Sequence, residues 1–231
     1  MSADETERRL QRSWRTNAAA WTRAVREQRI PSRRAGTDAA VLDAVLATGA
    51  RRILDVGCGE GWLARALAAH GREVVGIDAS AELIAAANEL GGARFETLSY
   101  ADLDAHAAGL GRFDAAVCNF ALLGEDLGAP LRALGRVLQP GGRLVVQTVH
   151  PWIACGDAPY IDGWRLETFA GFGEGFDAPM PWYFRTLASW LAAVAANGYL
   201  VERVVEPVDA ASGRPLSLLL QAALQKRTSP A

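Results

Sequence analysis

The feature that most constrains this chain is a glycine-rich turn set between an apolar run and an amphipathic one. It reads Arg52-Ile53-Leu54-Asp55-Val56-Gly57-Cys58-Gly59-Glu60-Gly61-Trp62-Leu63. Ile53, Leu54 and Val56 read as a short buried strand, and a helical period follows the turn. A strand that enters a glycine turn and leaves as a helix holds a nucleotide-like ligand. The glycines let backbone approach it, and the helix start offers free N–H groups. The spacing is Asp-x-Gly-x-Gly-x-Gly. A dinucleotide fingerprint would need its third glycine where Trp62 stands, so the loop points to a smaller adenosyl ligand.

A second strand-like run, Glu73-Val74-Val75-Gly76-Ile77-Asp78, ends in an acid. Asp78 follows Gly57 by about 20 residues, the distance at which an acid meets ribose hydroxyls in a βαβ unit.

With these residues in place, the chain resembles the class I S-adenosylmethionine-dependent methyltransferases. Four blocks in the family's order carry the resemblance, across roughly residues 50 to 150: Leu54 to Gly61, Val75 to Ser80, Arg112 to Asn119, and Arg136 to Leu144. It implies an α/β fold with a doubly wound, seven-stranded, mostly parallel sheet and a C-terminal antiparallel hairpin. It implies S-adenosylmethionine as cofactor and S-adenosylhomocysteine as product. Gly57, Cys58, Gly59 and Gly61 would wrap the methionine end, with Asp55 near its amino group. Asp78 and Ala79 would meet the ribose. The family's adenine-side acid falls on Ser99, a departure from the common pattern. Ser99, Tyr100 and Ala101 are the expected adenine contacts, with Asp102 as the other candidate acid. Cys118, Asn119 and Phe120 would pass under the sulfonium.

Composition narrows the class. The net charge of −2 sets up no global field for nucleic acid or anionic membrane. The span 1–38 is locally arginine-rich, a modest footprint that leaves RNA or protein modification as an alternative. A non-catalytic cofactor-binding regulator and a nicotinamide-dependent oxidoreductase are further alternatives. The cysteines Cys58, Cys118 and Cys155 form no Cys-x-x-Cys pair, which fits a reduced cytoplasmic protein. No metal site is expected. The charged start of the chain lacks a signal-peptide core, and no apolar run reaches membrane-spanning length.

Along the chain, residues 5–29 read as a helix with Leu10, Trp14, Ala18, Trp21 and Val25 on one face, and a second helix runs to Leu46. Residues 1–48 are expected to form cap helices, and 49–231 the methyltransferase domain. Strands are expected at 52–56, 73–77, 93–97, 114–118, 143–148, 200–206 and 216–225, with a loop before the fourth. Residues 151–185 break the pattern with prolines, glycines and aromatics, and read as a lid over the acceptor. Trp152, Tyr160, Trp182, Tyr183 and Arg185 are the acceptor-binding candidates, against a satellite core or a surface ion pair. His150, directly after strand five, is the candidate base, against a structural histidine in a His-Pro turn. The expected acceptor is a small molecule offering oxygen or nitrogen, and the expected assembly a monomer or homodimer.

Overall fold

The computed structural model describes residues 3–225. Helix α1 (Ala3–Arg26) is followed by a π-helical turn (Arg33–Thr37) and α2 (Asp38–Ala47). Strand–helix alternation then begins: β1 (Arg52–Val56), α3 (Trp62–Ala69), β2 (Glu73–Asp78), α4 (Ala81–Leu90), β3 (Arg94–Thr97), α5 (Leu103–Leu110), β4 (Phe113–Asn119), α6 (Gly128–Val137) and β5 (Leu138–Val149). The segment 151–185 holds α7 (Pro151–Cys155) and a hairpin of β6 (Gly163–Glu167) and β7 (Met180–Phe184). Helix α8 (Leu187–Ala196), β8 (Tyr199–Val205) and β9 (Ser217–Leu224) complete the fold.

Seven strands form one sheet in the order β3-β2-β1-β4-β5-β9-β8. The first five run parallel, and β9 enters antiparallel between β5 and β8. The expected doubly wound sheet with its reversed terminal hairpin is therefore present.

Side-chain alternation explains why helices cover both faces. Leu54, Val56, Val75, Ile77, Ala116 and Leu144 point into a core shared with Leu131, Leu134 and Trp190. Their neighbours Ile53, Val74, Ala115, Val117 and Val145 point into the opposite core with Val41, Leu63, Leu67 and Ile84. Strands buried on both sides read as continuous apolar runs, and each buried aliphatic side chain contributes about 1.5–3 kcal/mol. The strand order reverses between β1 and β4, and the crevice outside their carboxyl ends is where such sheets take ligands.

Two expectations needed correction. The stretch between β3 and β4 was expected as a loop, yet it contains α5, a single short helix with Leu103 and Leu110 buried. The segment 151–185 is not irregular throughout: β6 and β7 pair antiparallel as a sheet of their own, Trp164 opposite Tyr183.

Candidate active site

A cavity of about 950 Å³ opens at the strand-order reversal. Its floor begins at the glycine turn. Gly57, Gly59 and Gly61 have φ of +68°, +57° and +85°, which side-chain-bearing residues rarely adopt. The Gly57 and Cys58 amides donate to the Ile77 carbonyl at 2.8 and 3.0 Å, which pins the turn to the end of β2. A Cβ at Gly57 would lie 2.5 Å from that of Ala121.

Asp78 ties the turn from the other side. Its Oδ2 accepts from the Gly59 amide at 2.9 Å, and its Oδ1 from the Ser80 amide at 2.8 Å. Burial raises its pKa, against the pull of these amides. Asp55 is 1% exposed, and its Oδ2 has no hydrogen-bond partner. Burial, together with the nearby Asp78 charge, pushes its pKa up to about 7. A buried, incompletely partnered acid on a cavity wall is the environment of a ligand-binding carboxyl.

The far wall comes from the ends of β3, β4 and β5. Ser99, Tyr100 and Ala101 line the cavity. The two candidate acid-position residues meet each other: the Ser99 hydroxyl donates to Asp102 at 2.6 Å. The Tyr100 hydroxyl donates to the Ala121 carbonyl at 2.8 Å and so ties two loops together. Phe120 holds a φ of +53°, and its amide is fixed by the Gln147 carbonyl at 2.8 Å. The Gln147 amide also donates to Asn119 Oδ1 at 2.8 Å and to the Thr37 carbonyl at 3.0 Å.

Helix α1 and the segment 151–185 form the roof. Trp14 and Trp21 line it edge to face, with centroids 5.1 Å apart. Asn17 is fully buried. Its Nδ2 donates to the Ala178 carbonyl at 2.7 Å, and its Oδ1 accepts from the Asp177 amide at 3.0 Å. At its other end, α1 is anchored by Arg26, whose Nε donates to Glu60 Oε2 at 3.3 Å. Buried Glu60 also takes Arg65 at 2.6 Å, so the roof is bonded to the glycine turn itself.

The structure brings together Asp55, Gly57, Cys58, Gly59, Asp78, Ala79, Ser99, Tyr100, Ala101, Asn119, Phe120 and Trp182 on this one cavity. Gly61 and Cys118 stand behind the wall. Gly61 caps α3, and Cys118 is fully buried, where burial raises its pKa and disfavours a thiolate. His150 is not on the wall either: its Nε2 lies 2.7 Å from Glu206, in the loop after β8. Trp152 is 68% exposed on the outside of α7. Tyr160 accepts the Leu187 amide at 2.9 Å and packs on Phe184. Tyr183 stacks edge to face with Trp164, and buried Arg185 donates to the carbonyls of Gly124 and Glu125 from behind the loop.

Several wall residues had no motif to announce them. Glu7, Leu123, Glu125 and Glu167 reach the cavity from α1, the loop after β4 and β6. Among the described residues, no cluster of side chains has metal-ligand geometry and no helix is long and apolar enough to cross a membrane.

The comparisons agree with this geometry. The family described as "Methyltransferase domain" matches residues 53–142. An uncharacterized methyltransferase of Schizosaccharomyces pombe is 31% identical over 160 residues, covering 66% of this chain and 60% of the yeast protein. The chain thus spans less than two thirds of that relative's length. An uncharacterized methyltransferase of Mycobacterium bovis is 36% identical over 138 residues, 54% of this chain and 70% of that protein. In fold, the chain is similar to the Burkholderia thailandensis 1,6-didemethyltoxoflavin-N1-methyltransferase. That structure holds 1,6-didemethyltoxoflavin and S-adenosylhomocysteine, with a TM-score of 0.68, 21% identity, and coverage of 98% of this chain and 92% of that one. The cavity's donor set fits the family's cofactor: the acids Asp55 and Asp78 can take an ammonium and hydroxyls, and Leu83 and Leu98 offer apolar surface to a flat base. The glycine turn, its acid pair and the sequence likeness together place this chain in the class I S-adenosylmethionine-dependent methyltransferase family.

Proposed function

We propose that this protein methylates oxygen or nitrogen of a small-molecule acceptor and works in the cytoplasm. The observation that carries the reading is the cavity between the sheet edge and α1. It has a polar floor at the sheet and an aromatic roof, and its 950 Å³ lie at the upper end of the range for small ligands. Helix α1 and the segment 151–185 cover the turn and leave a partly open mouth, a size that suits a small acceptor. The arginine-rich start supports the same reading: Arg26, Arg29 and Arg33 are ion-paired to acids of this chain.

S-adenosylmethionine, when bound, supplies an electrophilic methyl group on a sulfonium sulfur. The chain's residues bind, orient and keep water out. Asp78 and Ala79 form the ribose end, and the glycine turn faces the methionine end. Asp55 supplies the buried carboxylate. Trp14, Trp21 and Trp62 shield the cavity from solvent. The aromatic and carboxylate wall of the lid orients the acceptor. We assign His150 to holding the end of β5 against Glu206.

Calorimetric titration with S-adenosylhomocysteine, with NAD as control, tests the class. A screen of small acceptors with radiolabelled cofactor then tests the acceptor. Micromolar binding of the first without the second is the expected result. NAD binding, or methyl transfer to bulk RNA but to no small molecule, would overturn the reading.

A further inference from the structure

The glycine-turn end of the cavity holds donors as well as acids. Three of its wall residues come from the cover and not from the sheet: Trp21 on α1, Ser32 just before the π-helical turn, and Arg33 at the start of that turn. Trp21 stands over the glycine turn itself, since a Cβ on Gly59 would lie 3.6 Å from its Nε1. Arg33 stacks on Trp62, the first residue of α3, with its guanidinium carbon 4.5 Å from the ring centroid. Trp21 and Trp62 pack against one buried cluster of Ala24, Val25 and Ile30, so the indole N–H and the guanidinium flank the same turn.

These donors are spare. Arg33 Nε donates to both Asp38 oxygens, at 2.8 and 3.0 Å, and its outer edge, Nη1 and Nη2, has no acceptor among the described residues. The Trp21 indole N–H and the Ser32 hydroxyl have none there either. The backbone that carries Arg33 is tied down on both sides: its own amide donates to the Ile30 carbonyl at 3.2 Å, and the Thr37 carbonyl takes Gln147 of β5 at 3.0 Å. Arg34, the next residue, is exposed and off the cavity wall. The acid of the turn, Glu60, is matched by its own cations, with Oε2 on Arg26 at 3.3 Å and on Arg65 at 2.6 Å. Asp55 brings a buried, unpartnered Oδ2 to this same end. An unpartnered acid and an unpartnered guanidinium edge on one turn complement an α-amino-acid zwitterion, ammonium to the first and carboxylate to the second.

Resting on the methyltransferase reading, we infer that the Arg33 guanidinium and the Trp21 indole N–H hold the carboxylate at the methionine end of the cofactor, with the Ser32 hydroxyl beside them. The sheet edge then binds the nucleoside, while α1 and the turn after it read a group that takes no part in methyl transfer. Arg33 contributes the larger share, because two N–H groups in a planar fork meet two oxygens of opposite charge.

Two ligands that differ by this group alone test the assignment: S-adenosylhomocysteine and its decarboxylated analogue, which keeps the adenosine, the thioether and the amine. Each is titrated by calorimetry into the native protein and into Arg33→Gln, Arg33→Lys and Trp21→Phe. The native protein is expected to prefer S-adenosylhomocysteine by at least about thirtyfold. Arg33→Gln is expected to reduce that preference by about tenfold and Trp21→Phe by about threefold, with Arg33→Lys between native and Arg33→Gln. The affinity of the analogue is expected to stay the same in all four proteins, which shows that each variant keeps its site. Equal affinity of the native protein for the two ligands, a preference left intact by Arg33→Gln or by Trp21→Phe, or an equal loss of both ligands in every variant overturns the inference. Each of these leaves the methyltransferase reading standing as long as S-adenosylhomocysteine binds the native protein. Loss of that binding overturns the reading beneath it.

Discussion

Asp55 is held in surroundings that oppose its charge, and this makes the ligand-free protein sensitive to pH. Its pKa in the fold, about 7, lies above its ordinary value of 3.8, so the fold favours the protonated form. The stability it contributes is complete below pH 3.8, falls as pH rises, and is gone above about 7. Asp55→Asn removes that dependence. At pH 8 the ligand-free variant should be more stable than the native protein by roughly 4 kcal/mol, while binding S-adenosylhomocysteine about tenfold more weakly. Urea unfolding at pH 5 and pH 8 reads this; parallel pH dependence in the two proteins would refute it. A second residue-scale expectation concerns His150. Its bond to Glu206 predicts that His150→Ala loses stability but keeps kcat within a few-fold. A fall of about a hundredfold would restore it as a base.

These two residues differ in how they could be read from sequence. Asp55 belongs to a local pattern, in which a strand and three spaced glycines fix the geometry within a dozen residues. The direction of His150 depends on Glu206, more than fifty residues away, so no local pattern encodes it. Tyr183 and Trp182 show the same limit through parity. Adjacent strand residues face opposite sides, and only the pairing register of β6 with β7 decides which side is the cavity.

At the scale of elements, the polar contacts of the roof centre on one side chain. Asn17 satisfies three backbone groups of the lid, Asp177 N–H and Ala178 N–H and C=O, from a fully buried position. Asn17→Ala leaves the two N–H groups unpaired, while the Ala178 carbonyl keeps the Ser13 hydroxyl at 2.8 Å, a loss of about 2–3 kcal/mol in docking of this segment. Limited proteolysis should then cut within residues 168–178, where the native protein resists; equal resistance would show that the aromatic contacts suffice. At the floor, Gly57→Ala forces a 2.5 Å clash and a left-handed alanine, and should abolish S-adenosylhomocysteine binding in a chain that keeps its circular dichroism. The long periodic elements were legible because their cores are local. The hairpin β6–β7 was not: twelve residues separate its strands, and the partners Trp164 and Tyr183 carry no turn signal between them that fixes a register.

For the whole molecule, the order of elements was legible because β1 to β5 alternate with helices, and short right-handed crossovers leave few other arrangements. The last two strands are bound to that frame by Tyr199, fully buried, whose hydroxyl donates to the Leu131 carbonyl of α6 at 2.9 Å. Tyr199→Phe should lower global stability by about 1–2 kcal/mol in urea with the cavity untouched. The bonds of α1 have a further kinetic meaning. The helix is fastened to the segment 151–185 through Asn17 and to the glycine turn through Arg26 and Glu60, so it spans the cavity from one end to the other. A cover fastened at both ends is expected to lift in one piece, so that the spent cofactor and the methylated product leave through one gate, and Asn17→Ala is expected to speed the release of both.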